Sequence, residues 1–113
     1  MGIAKIKMGG FLQNGSNIYS GRDKGIEARK AIHLEDVEQR SSQVFFLIPE
    51  HTWGINPSFY GGLLEGTIKK FLNNIDAFLE KYHFLYYDGT ELNDSLNADL
   101  QEGLRYVLNG LGE

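Results

Sequence analysis

The sequence predicts a single α/β domain whose helices pack against a small β-sheet. Segments with strand character alternate with segments whose apolar residues recur at helical spacing, in the order strand, strand, helix, strand, helix, strand, helix. A strand followed by a helix and a further strand favours a parallel crossover, and therefore a layered α/β arrangement. At 113 residues the chain is long enough to bury a core, so one domain covering 1–113 is expected.

Four short segments predict strands. Residues 4–8 alternate apolar side chains with lysine, which is typical of a half-buried strand, and 18–19 predict a short second strand. Between them, Asn14-Gly15 favours a tight turn because both residues tolerate positive φ. The five apolar residues at 44–48 predict a central strand covered on both faces, because such strands read as continuous apolar runs. The aromatic run at 82–87 predicts the last strand.

The first helix is expected directly after the second strand. Ser20 is placed to cap this helix, and Asp23 three residues later resembles the partner residue of a capping box. Ile26 begins an apolar stripe, while the charged residues around it are expected to stay in water. Leu34 and Val37 either extend this helix or start a shorter one.

The two later helices have clearer boundaries. Asn56 is a favourable N-cap, and Pro57 suits the first helical turn because its missing N–H would have no partner there. The last helix is expected within 92–111, where leucines and a valine fall on one face. Asn93 or its neighbour can cap this helix, and Gly110 is expected to end it.

Composition excludes several classes of function. The formal net charge is −4 and the isoelectric point about 5.3, so nucleic acid and anionic membranes are not expected as partners. Because the chain has no cysteine, it cannot form disulfides, iron–sulfur clusters or Cys-ligated zinc sites. The sequence starts without the apolar region of a signal peptide and contains no apolar run of about 20 residues, so a cytoplasmic location is expected.

Catalytic and cofactor patterns are also missing from the sequence. Residues 15–25 read GSNIYSGRDKG, which departs from a phosphate-binding loop in its glycine spacing and in the Arg-Asp after the second glycine. The three histidines, His33, His51 and His83, do not show metal-ligand spacing, and Ser58 does not lie in a GxSxG elbow. We therefore expect no catalytic residue, no metal site and no cofactor.

Ser58 lies where a helix is expected to begin. A hydroxyl in the first turn is close to unpaired backbone N–H groups and to the positive end of the helix dipole, so a phosphate added there would find favourable donors. The alternative is that Ser58 only satisfies those N–H groups. Trp53, the only tryptophan, lies in the loop before this helix and either covers the core or serves as an exposed anchor for a partner.

Residues 45–68, FFLIPEHTWGINPSFYGGLLEGTI, resemble the central strand, loop and helix of STAS domains, the fold of anti-sigma-factor antagonists. SGRDKGIEAR at 20–29, together with INPSF at 55–59, is similar to the bacterial STAS-like family DUF4325. The resemblance implies a mixed sheet of four or five strands packed by helices and a non-enzymatic role in partner switching. It also implies a regulatory protein or histidine-kinase-like ATPase as partner, and Ser58 as the candidate phosphoacceptor.

The leading interpretation is thus a cytoplasmic signalling domain that binds a protein partner. The predicted partner-binding residues are Ser58, Asn56, Trp53 and Phe59, flanked by Arg22 and Arg29. A second interpretation is a small-molecule or nucleotide-binding domain, in which both arginines and the Ser58 helix end converge on an anion. A third is a structural protein that self-associates, for instance as a homodimer.

Overall fold

A computed structural model describes residues 2–12 and 15–111, which form an α/β fold with five α-helices and two small parallel sheets. The strands are β1 (Gly2–Lys7), β2 (Ile18–Tyr19), β3 (Ser41–Ile48), β4 (Gly54–Ile55) and β5 (Tyr82–Tyr86). The helices are α1 (Arg22–Ala31), α2 (Leu34–Arg40), α3 (Pro57–Ile68), α4 (Ile75–Lys81) and α5 (Asp94–Leu111). Short 3-10 turns cover Gly9–Phe11 and Lys69–Phe71.

The main sheet has three strands in the order β1-β3-β5, and all of its neighbours are parallel. Two-residue strands β2 and β4 form a separate parallel pair. The expectation of one mixed sheet with four or five strands is therefore wrong. The reason is that β2 does not join the main sheet but pairs with β4, a segment that the sequence predicted to be a loop.

The helices of the described residues pack against one face of the main sheet. The core contains Val44, Phe46 and Ile48 of β3, which alternate with Phe45 and Leu47 on the other side of the strand. Those two side chains line an open groove whose other described lining residues come from β1 and from β5 and the turn after it. On that side Leu47 is still only 7% exposed and Phe45 is half-buried. The prediction of cover on both faces is therefore wrong as regards helices, which the described residues place on one face, while the central place of the strand in the sheet is confirmed.

The start of α1 differs from the prediction. Gly21, at φ 92°, is the N-cap residue, and no side chain caps this helix, so the capping box at Ser20 is not formed. The chain separates α1 from α2 at His33, which takes a left-handed conformation at φ 53°. Leu34 consequently starts a shorter helix, which is one of the two predicted outcomes.

The remaining boundaries lie close to those predicted. The Asn93 side chain accepts a hydrogen bond from the Leu96 amide at 2.8 Å, as expected of a cap for α5. However, α5 continues through Gly110 to Leu111, so Gly110 does not end it. In the turn predicted at Asn14-Gly15, Gly15 has φ 76°, and Asn14 lies outside the described residues. No helix in 2–12 or 15–111 is long and apolar enough to cross a membrane.

Helices α1 and α3 run side by side in the same direction and approach unusually closely. Gly25 of α1 lies against the backbone of Phe59 and Leu63, and Gly62 of α3 lies against the backbone of Arg22 and Ile26. With no side chain at either glycine, the two backbones can touch. This contact brings the first turns of both helices together at one end of the molecule, beside Ser58.

Candidate functional site

The structure confirms the predicted start of α3. Asn56 is the N-cap residue, Pro57 is the first helical residue, and the Asn56 Oδ1 atom accepts a hydrogen bond from the Ser58 amide at 2.9 Å. The Ser58 hydroxyl donates to the same oxygen at 2.7 Å and accepts from the Gly21 amide at 3.3 Å. Through these two hydrogen bonds the Ser58 hydroxyl links the first turn of α3 to Gly21, the N-cap residue of α1. Ser58 itself is half-buried.

Replacement of Asn56 tests how much this cap contributes. We expect Asn56→Ala to lower the free energy of unfolding by about 1 kcal/mol, because it leaves an amide of the first turn without its acceptor. Asn56→Asp keeps an acceptor and adds a negative charge at the positive end of the helix dipole, so little or no loss is expected. Urea denaturation measures both; an equal loss in the two variants would contradict a capping role.

Arg22 lies beside this helix end and forms an ion pair with α3. Its Nη2 atom is 2.9 Å from Glu65 Oε2, and both side chains are partly exposed. Hydrogen bonding to Glu65 raises the pKa of Arg22 above its ordinary value, with a smaller contribution from Tyr106 of α5. Arg22 and Tyr106 both lie over Gly61, where the absence of a side chain leaves them space. The predicted flanking position of Arg22 agrees with this geometry.

Arg29 does not flank Ser58, so that prediction is wrong. It lies two turns along α1 from Arg22, about 10 Å away along the helix axis. Its Nη1 atom donates to the Leu63 carbonyl at 2.9 Å and to the Thr67 hydroxyl at 2.8 Å, and its side chain is only 15% exposed. Arg29 is therefore a structural residue between α1 and α3.

Phe59 is not available to a partner either. Only 2% of it is exposed, because its ring packs in the core with a centroid 5.0 Å from that of Tyr19. On a helix, consecutive residues point in different directions, and Phe59 follows Ser58 onto the buried side of α3. The prediction that Phe59 supplies an apolar contact at the surface is wrong.

Trp53 is the most exposed large apolar residue in the described ranges, at 73%. Its backbone is nevertheless fixed, since its amide donates to the Asn17 carbonyl at 2.7 Å. Two residues later, the amide of Ile55 donates to Asp99 Oδ2 of α5 at 2.9 Å. Of the two interpretations offered for Trp53, the exposed one agrees with the structure, while a cover over the core does not.

Sequence reasoning missed two partly exposed apolar side chains in this region. Ile18, 44% exposed, pairs with Gly54 next to Trp53, and Tyr106, 48% exposed, lies beside Arg22. The sequence around each residue does not indicate this position. Ile18 reaches it through the pairing of β2 with β4, and Tyr106 reaches it through the packing of α5. We call Trp53, Asn56, Ser58, Arg22 and Tyr106 the Ser58 surface.

The anion-binding interpretation loses its geometric basis. Arg22 is paired with Glu65, and Arg29 is engaged two helical turns away, so the two arginines and the Ser58 helix end do not converge. The glycines at 21 and 25 lie at the start and in the middle of α1 and do not form a phosphate loop. In the part of the chain that the structure describes, no three His, Asp or Glu side chains could hold a metal ion together.

Comparisons of the chain with protein-family models, with curated proteins and with solved structures found no match. The STAS-like resemblance therefore remains a prediction from the short segments at 20–29 and 45–68.

Proposed function

We propose that the chain is a cytoplasmic, non-enzymatic signalling domain that binds a protein partner through the Ser58 surface. The observation that carries this proposal is the exposure of Trp53 on a backbone segment held by hydrogen bonds, from Trp53 to Asn17 just before β2 and from Ile55 to α5. Because this backbone is already ordered, binding costs little backbone entropy, and the indole can bury a large apolar area. Tyrosine and arginine, the other residue types that dominate binding energy at interfaces, are supplied at the Ser58 helix end by Arg22, which follows Gly21, and by Tyr106 beside it.

Ser58 gives this surface a means of regulation. A protein kinase would transfer the γ-phosphoryl group of ATP to the Ser58 oxygen, releasing ADP while the hydroxyl proton passes to a base of the kinase. The product could no longer donate to Asn56, and it would place a charge of about −2 at the adjoining first turns of α1 and α3. Partner affinity is then expected to depend on phosphorylation, and the resemblance favours a histidine-kinase-like ATPase as the partner.

Site-specific crosslinking identifies the partner and tests the surface in one experiment. A photoreactive phenylalanine at position 53 is expected to capture one specific protein in host cells, whereas the same group at Leu72, an apolar residue 45% exposed, should not. With the purified partner, Trp53→Ala should weaken binding by about 30-fold, which corresponds to about 2 kcal/mol for a residue central to an interface. Leu72→Ala is the matched control and should leave affinity unchanged.

The regulatory role of Ser58 is measured in the same binding assay. Ser58→Glu should change the affinity at least tenfold, while Ser58→Thr, which keeps a hydroxyl, should bind as the unmodified chain does. Equal crosslinking from positions 53 and 72, or an unchanged affinity of Trp53→Ala, would rule out docking at this surface. An unchanged affinity of Ser58→Glu alone would remove the switch and leave the docking site in place.

A further inference from the structure

The face of the main sheet that faces away from the helices is a second exposed surface, separate from the Ser58 surface. Strand register places Lys5, Phe45 and His83 side by side, and Lys7, Leu47 and Leu85 in the next row. Ile3 of β1 begins this face and Tyr87 follows it after β5. We call these eight residues the open face: Ile3, Lys5, Lys7, Phe45, Leu47, His83, Leu85 and Tyr87.

The middle of the open face is apolar, with Phe45 and Leu85 half-buried and Leu47 7% exposed, and its exposed apolar side chains lie at the rim. A groove of about 410 Å³ runs over it, and no described helix contributes to the lining of that groove. Ile3 is 63% exposed and Tyr87 41%. Parallel sheets normally have helices on both faces, because their strands are apolar on both sides, so a face without a helix is typical of a surface that another molecule covers.

Charge is distributed unequally across the open face. Its β1 side is basic, with exposed Lys5 and Lys7. Its β5 side is acidic, because Asp88 lines the groove and Glu91 pairs with Leu85 in an antiparallel bridge. Residues paired across strands lie on the same side of a sheet, so Glu91 belongs to this face as well. The carboxyl of Asp88 has its pKa lowered by hydrogen bonds from Thr90, and it is therefore ionised at neutral pH.

We propose that the open face binds a second copy of this chain. A two-fold axis between two stacked sheets, parallel to their strands, places β3 over β3 and the β1 side of each protomer over the β5 side of the other. The apolar centres then meet, and the basic side of each copy faces the acidic side of its partner. Two sheets packed in this way would form an aligned sandwich, which is a common arrangement of stacked sheets.

The size of the face indicates a weak, reversible dimer. Neighbouring strands lie about 4.8 Å apart and successive residues rise about 3.3 Å along a strand, so the face measures roughly 15 Å by 20 Å. The resulting area of about 300 Å² is smaller than the roughly 800 Å² that each partner buries in a standard interface. Sedimentation velocity of the full chain should therefore show a monomer–dimer equilibrium between about 10 and 500 µM. Ile3→Glu should shift this equilibrium at least tenfold towards monomer, whereas Leu72→Glu, outside the face, should not.

Charge reversal tests the arrangement of the dimer. Lys5→Glu/Lys7→Glu makes both sides of the face acidic, and Asp88→Asn/Glu91→Lys makes both sides basic, so each variant alone should be monomeric. Mixed in equal amounts, the two variants should form a heterodimer at concentrations where neither self-associates, which also shows that both are folded. A chain that is monomeric up to about 500 µM would overturn the proposal. So would self-association of Asp88→Asn/Glu91→Lys equal to that of the unmodified chain, which would indicate pairing through the β1 edge.

Discussion

Gly62→Ala is expected to lower the free energy of unfolding by about 3 kcal/mol, at the upper end of the range for overpacked cores. A Cβ atom at this position would overlap the carbonyl oxygen of Arg22 and lie 3.0 Å from the amide nitrogen of Ile26. Both atoms belong to the backbone of α1, which cannot move aside as a flexible side chain can. The two helices would have to separate, and the apolar side chains packed between them would lose contact.

Gly25→Ala probes the same crossing from the other helix. Its Cβ would overlap the carbonyl oxygen of Phe59 and lie 2.8 Å from the amide nitrogen of Leu63, so a loss of similar size is expected. Because both substitutions act by separating α1 from α3, their effects should be less than additive in the double variant.

Urea denaturation of the three variants measures these losses, and Gly110→Ala of α5 is the matched control. Apart from the backbone of its own helix and its chain neighbours, no atom of the described residues lies within 4 Å of a Cβ at Gly110. Alanine should therefore leave stability unchanged or raise it by up to about 1 kcal/mol through its higher helix propensity. If Gly62→Ala were as stable as Gly110→Ala, the close approach of α1 and α3 described above would be incorrect.

The fold was predictable where the signal is local. The strands near 4–8, 44–48 and 82–87 and the helix after Asn56 follow from apolar periodicity and capping residues, and the structure places all four where they were expected. The pairing of β2 with β4 was not predictable, because two-residue strands have no periodicity and their partner is set by the rest of the fold. The sheet face without a helix was missed for a related reason, since a continuous apolar run shows that both sides are apolar but not that helices cover both.

Of the candidate site, mainly the residues that are close together in sequence could be predicted. Asn56, Ser58 and Trp53 are close in sequence, whereas Tyr106 reaches Arg22 through helix packing. Phe59 was assigned to the surface because it adjoins Ser58, although its place in the apolar stripe of α3 already favoured burial. Arg29 was assigned there because charged residues are usually exposed, and nothing local showed that it would find buried acceptors.

The Thr67 hydroxyl, one of the acceptors of Arg29, belongs to a network centred on Glu38, whose side chain is 8% exposed. Its Oε2 atom accepts hydrogen bonds from the Thr67 hydroxyl and, at 2.8 Å, from the Tyr82 hydroxyl. Its Oε1 atom lies 3.7 Å from Arg29 Nη2 and 3.6 Å from Lys70 Nζ. Burial, together with the hydrogen bond to Glu38, raises the pKa of Tyr82, so this hydroxyl remains a donor throughout the neutral range. One carboxylate thus connects α1, α2, α3 and β5.

Glu38→Ala is accordingly expected to lower the free energy of unfolding by about 3–5 kcal/mol. The substitution removes the acceptor of two hydroxyl groups and leaves the largely buried Arg29 guanidinium without its nearest buried carboxylate. Arg29 then keeps only the solvent-exposed Glu35 as a carboxylate partner, so the desolvation of its guanidinium is no longer fully offset. Glu38→Gln keeps an acceptor oxygen but loses the charge, and should fall between Glu38→Ala and the unmodified chain.

Glu35→Ala is the control for the ion pair alone. Glu35 also lies 3.7 Å from Arg29, but its side chain is 72% exposed, so solvent screens the pair and its loss should cost less than about 1 kcal/mol. Combining Glu38→Ala with Arg29→Met, which removes the guanidinium itself, should recover part of the stability lost in Glu38→Ala. Urea denaturation of the set decides between the two causes. A double variant no more stable than Glu38→Ala would show that most of the lost free energy of unfolding comes from the hydroxyl groups of Thr67 and Tyr82, which lose their acceptor, and not from the guanidinium.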